Sequence, residues 1–144
     1  AALLGLTGCE RPTPLVSVYS GNTTLNDHAL SFCFPGQDAA KEPGTPGACR
    51  FDAEGRTPEV LEVKPGDQVV IDVDKDLVES GWTAVLRAPG AQPGRLAVQD
   101  EHVAYFEPDF SRAPQLTLEV LKLDGPRDDA RPVGIWQFVL VASN

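Results

Sequence analysis

Leu61 and Val63 alternate with charged neighbours, and further on Val69, Ile71 and Val73 alternate with Gln68, Asp72 and Asp74. Side chains on a strand point alternately to opposite faces, so each half reads as a half-buried strand. Between them, Pro65 presets its φ and Gly66 can take the positive φ that the third position of a type II turn demands. A turn of that hand splays its flanking strands instead of matching their twist. Residues 59–74 therefore predict a corner that hands the chain from one sheet to another, which is a sandwich signal.

The same alternation places the other elements. Residues 15–19 predict a first strand suited to a sheet edge, and residues 20–27 are turn-rich. Residues 29–34 predict a second strand with Leu30, Phe32 and Phe34 on one face and Cys33 on the other. Residues 35–48 carry three Pro and three Gly without apolar period, which predicts a surface loop. A short strand over 49–52 and a polar turn at Glu54-Gly55-Arg56 follow. Residues 77–81 predict a loop or a single helical turn. Trp82, Ala84 and Leu86 share a face of a strand over 82–88, residues 95–98 form a weak strand and 102–106 a stronger one. In residues 115–123, Leu116, Leu118 and Val120 are in phase whereas Leu121 and Leu123 are not, so a β-bulge is expected near Val120. The nearly continuous apolar run of residues 133–142 around Trp136 and Phe138 predicts a central strand.

Short strands at this spacing predict an all-β, immunoglobulin-like two-sheet β-sandwich of about eight or nine strands. Thirteen Gly and thirteen Pro among 144 residues leave few helical windows unbroken, and that length suits a single domain over 15–144. An antibody-type domain is not expected, because there the bridging cysteines straddle the tryptophan, whereas Cys33 and Cys49 both precede Trp82. The net charge of −9, with twelve Lys and Arg forming no basic stripe, argues against a nucleic-acid partner.

The chain contains no Met, so its start codon is expected upstream of Ala1. Its first nine residues look like the end of an apolar export signal running into small residues. Leu6-Thr7-Gly8-Cys9 resembles the lipobox of bacterial lipoproteins. That resemblance implies that residues 1–8 are the tail of a lipoprotein signal peptide, that Cys9 is the lipidated first residue of the mature protein, and that residues 9–14 tether the domain to the extracytoplasmic face of the cell membrane. With Cys9 acylated, Cys33 and Cys49 remain as the expected disulfide in an oxidising compartment, stapling the base of the Pro/Gly-rich loop.

Catalytic and metal chemistry find little support. A blue-copper site needs two His, a Cys and usually an axial Met; this chain has no Met, no Cys after Cys49, and His only at 28 and 102. Asp72, Asp74 and Asp76 have the spacing that begins a calcium loop, but Leu77 stands where the loop requires Gly and Thr83 where it requires Glu. No Ser lies in a Gly-x-Ser-x-Gly turn, and no carboxylate pair stands out in an apolar setting. No catalytic residue, metal ligand or cofactor is therefore expected, and the protein is read as no enzyme. Tyr105, Phe106 and Phe110, near the Glu107-Pro108-Asp109 turn, form the one aromatic group with a chance of making a ligand surface.

The order of parts resembles a family of actinobacterial envelope lipoproteins to which no activity is attached. The features that carry the resemblance are the lipobox at Cys9, Cys33 and Cys49 around the loop, the Pro65-Gly66 turn, Trp82 opening a strand, and Trp136 with Phe138 in the last one. The resemblance supplies no activity; the expectation is a membrane-anchored binding or assembly module whose partner is another envelope protein or a cell-wall component. The alternatives are an envelope carrier of a small ligand or metal and, from a third class, an envelope enzyme of unidentified reaction.

Overall fold

The computed structural model describes residues 12–42, 44–51 and 57–143. They form the expected all-β two-sheet sandwich, with eleven strands instead of eight or nine. One sheet has four strands in the order β2-β1-β6-β9: β1 is Val16–Ser20, β2 Thr23–Asp27, β6 Val69–Val73 and β9 Val103–Phe106. The other has seven and follows the order β4-β3-β11-β10-β7-β8. Its members are β3 (Ser31–Phe32), β4 (Arg50–Phe51), β7 (Trp82–Arg87), β8 (Gly94–Arg95), β10 (Gln115–Leu123) and β11 (Pro132–Ala142). The seventh, β5 (Glu59–Val63), runs parallel to the far half of β11.

The corner at Lys64-Pro65-Gly66-Asp67 does what its sequence predicts. Gly66 has φ 95°, and the Asp67 amide donates to the Lys64 carbonyl at 2.9 Å. The turn leads from β5 in the larger sheet to β6 in the smaller one, so it spans the sandwich and closes no hairpin. Leu61, Val63, Val69, Ile71 and Val73 are all buried, which places both alternating faces in one core.

Four expectations need correction. Residues 23–27, read as turn-rich, form the edge strand β2, so β1, expected at a sheet edge, lies inside the sheet between β2 and β6. The Thr-Thr-Leu-Asn-Asp sequence of β2 offers the core only the partly buried Leu25, and backbone pairing with β1 holds it. Of the two readings of residues 77–81 the helical one holds, but the helix, α1 (Lys75–Ser80), starts two residues earlier, capped by the Asp74 carboxylate and anchored by the buried Leu77. The bulge lies not at Val120 but between Lys122 and Leu123, where the partners step from Gly134 to Pro132 and leave Val133 as the extra residue. Leu116, Leu118 and Val120 keep their phase throughout, and the slip turns Leu123 into the core.

The core is filled by Trp82, Trp136 and Phe138 with the aliphatic side chains of both sheets. Each indole N–H finds an acceptor, from Trp82 to the Glu101 carbonyl at 2.8 Å and from Trp136 to the Pro14 carbonyl at 2.9 Å. Gly134 is the tight point. A Cβ there would stand 2.9 Å from the Trp136 ring and 3.0 Å from the Phe32 ring. Gly134→Ala is thus expected to lower the unfolding free energy by about 1–3 kcal/mol through overpacking. Urea denaturation monitored by tryptophan fluorescence measures this, and an unchanged midpoint would show that the rings yield freely.

Candidate functional site

One end of the sandwich is open. There β1, β3 and β11 begin and β6 and β10 finish, and α1 crosses from the smaller sheet to β7 in the larger one. Opposite α1, a strap of residues 12–14 runs in to β1. Between helix and strap lies a cleft of about 1050 Å³. It is lined by the apolar side chains of Phe32, Phe34, Leu15 and Val133 and by the charged ones of Asp74, Asp76, Glu79, Lys122 and Asp124.

The strap is fixed by hydrogen bonds that its own sequence could not make locally. The Trp136 indole donates to the Pro14 carbonyl, the buried Thr13 hydroxyl accepts the Ala29 amide at 2.9 Å, and the Thr13 carbonyl lies 3.1 Å from Nδ1 of His28. The opposite lip, residues 33–37, is held by the Cys33–Cys49 disulfide, by the Cys33 amide bonding the Val133 carbonyl at 2.7 Å, and by the Gln37 side chain accepting the Phe34 amide at 2.8 Å. The disulfide is the expected one. It secures a cleft wall as well as a loop base.

Lys122 is the residue that sequence reading missed. It continues the phase of Leu116, Leu118 and Val120, so it points between the sheets where they part. Across β11 it faces Gly134, and Gly134 in turn faces Phe32; the side chain missing at Gly134 lets the Lys122 ammonium lie over the Phe32 ring at 5.9 Å. A lysine in the inward phase of a strand was the available signal. Burial makes its charged form harder to sustain and lowers its pKa, while the charges of Asp76, Asp124 and Glu79 act in the opposite sense.

The acids of the cleft are not equivalent. Asp74 caps α1, and Asp124 accepts the Arg131 amide at 3.0 Å and lies 3.6 Å from the Arg127 guanidinium. The carboxylates of Asp76 and Glu79 make no hydrogen bond or ion pair among the described residues, and both are exposed. Asp72 points outward from β6, so Asp72, Asp74 and Asp76 do not converge. Among the described residues no group of three or more His, Cys, Asp or Glu side chains is disposed to hold a metal ion.

Cys9 lies outside the described residues. Tyr105 and Phe106 point to opposite faces of β9: Tyr105 is 65% exposed on the outer face beside Val70, whereas Phe106 packs against the core, as does Phe110 from the following loop. The three aromatic residues therefore present no common surface. His102 lies with Nδ1 at 2.9 Å from the Val73 carbonyl, at the strand end it borders. No helix among the described residues is long and apolar enough to cross a membrane. No protein-family model, curated protein or solved structure matches the chain.

Two outcomes are expected here. Because burial depresses the Lys122 pKa in the folded chain, its cost is complete below that folded value and lifts as pH rises from there towards the unfolded value. Lys122→Met should raise the Tm at neutral pH, with a gain that shrinks in alkali; a lowered Tm would mean that the surrounding acids outweigh burial. Replacing Cys33 and Cys49 together by Ser should lower the unfolding free energy by about 3 kcal/mol, from the loop the bridge closes. Unfolding curves of the oxidised parent and the double variant decide it.

Proposed function

We propose that the protein is a membrane-anchored extracytoplasmic lipoprotein that acts as a non-catalytic binding or assembly module of the bacterial cell envelope, of the actinobacterial kind its sequence resembles. The observation that carries this reading is positional. Leu6-Thr7-Gly8-Cys9 stands three residues before Pro12, and Pro12 lies at the rim of the cleft. Three extended residues reach at most roughly 11 Å, so an acyl chain on Cys9 would hold the cleft end of the sandwich at the bilayer and turn the Pro65-Gly66 end away from it.

On this reading the partner is another envelope component, met close to the membrane. The cleft also suits a second reading, a carrier of a small ligand, since its volume of about 1050 Å³ is just above that of the largest small-molecule sites, roughly 1000 Å³.

The anchor is tested by expressing the full-length precursor in an actinobacterial host and fractionating the cells. The parent should incorporate labelled fatty acid and sediment with membranes, and Cys9→Ser should do neither. Membrane association that survives Cys9→Ser would contradict the anchor. In-cell crosslinking of the same two forms then separates an assembly module, whose partner is lost with the anchor, from a carrier, whose ligand appears in native mass spectra.

A further inference from the structure

We propose that the cleft receives a cationic, partly apolar segment of a partner polypeptide, one in which Lys or Arg alternates with apolar side chains. This rests on the binding-module reading and names the chemistry of the partner at that site.

Charge complementarity selects the occupant. Four carboxylates and one ammonium line the cleft, and the carboxylates of Asp76 and Glu79 are left without a hydrogen-bonded or ion-paired partner among the described residues. The apolar Phe32, Phe34 and Leu15 line the same cleft, so a chain in it meets both carboxylates and rings. The protein itself shows what the floor accepts, because the Lys122 ammonium already rests over Phe32 with three acids acting on it. A second cation entering at the mouth meets Asp76 and Glu79. Its apolar neighbours cover Phe34 and Leu15. A bilayer rich in anionic lipid is the less suitable occupant, since the same carboxylates repel it.

The test uses the full chain carrying Cys9→Ser and a labelled hexapeptide, Lys-Phe-Lys-Phe-Lys-Phe, with Glu-Phe-Glu-Phe-Glu-Phe as its counterpart, read by fluorescence anisotropy. The cationic peptide should bind and the anionic one should not. Raising the salt from 50 to 500 mM should weaken binding as the charges are screened, with the Debye length falling to a few Å. Asp76→Asn with Glu79→Gln should weaken it roughly fivefold, the effect of two exposed charge contacts. Lys122→Gln should tighten it by about twofold, because a like charge leaves the floor. Glu59→Gln with Glu62→Gln, two exposed acids of β5 away from the cleft, should change nothing.

Equal weakening by the β5 pair would reduce the effect to bulk charge and overturn the proposal, as would weaker binding in Lys122→Gln or no binding at low salt. Stronger binding to phosphatidylglycerol vesicles than to the peptide would also overturn it and assign the cleft to the membrane. A crosslinked partner retained in cells by Asp76→Asn with Glu79→Gln would sink the cleft assignment alone, whereas absence of any partner in the parent would sink the module reading itself.

Discussion

Trp136 holds the cleft end of this molecule together. Its ring is fully buried on β11, and its one polar atom must find an acceptor there, because a buried N–H left unpaired costs about 1–3 kcal/mol. The acceptor is the carbonyl of Pro14, 122 positions earlier in the chain. With the bonds of Thr13 to Ala29 and His28, that bond lays the strap of residues 12–14 across the end of the sandwich. It also fixes where the preceding residues depart, at the rim of the cleft. The ring itself needs Gly134 beside it and Phe32 edge-on at 6.0 Å, so the packing of the floor and the position of the strap have one cause.

The same layer sets the electrostatics. Gly134 is paired with Phe32 on one side and Lys122 on the other, and having no side chain it lets those two meet over it. The bulge at Val133 follows immediately and returns Leu123 to the core, so Lys122 is the last residue of β10 to point inward in the regular phase. Beyond it the sheets part, and α1 brings Asp76 and Glu79 to the opening. An inward lysine at a sheet end and a short acidic helix across the gap make a polar cleft without interrupting the apolar core beneath.

Much of the fold was legible because it follows from local chemistry. Pro65-Gly66 can form only a narrow set of turns, and the phases of Leu61, Val63, Val69 and Ile71 fix which faces are buried. Where pairing decides, the sequence was mute. β2 exists because β1 needs a neighbour, not because Thr23 to Asp27 has an apolar face. The bulge was misplaced because Leu121 looks like a core residue until its partner Ile135 is known to share its outward side. Tyr105 and Phe106 are adjacent in sequence and opposite in space, as strand geometry requires once β9 is established. The cleft was least visible, since it joins residues from the strap, β3, α1 and β10 that no window of sequence contains.

The parallel pairing of β5 with β11 has a temporal side. β11 is bonded to β3, β5 and β10, all made earlier, and it occupies the middle of the larger sheet. Until residues 132–142 have been synthesised, those strands lack their principal neighbour and Trp136 cannot bind the strap. Long-range pairing of this kind slows folding, because the chain must close large loops before any contact rewards it. A polypeptide whose keystone strand follows all of its partners in the chain stays loose until that strand has been made.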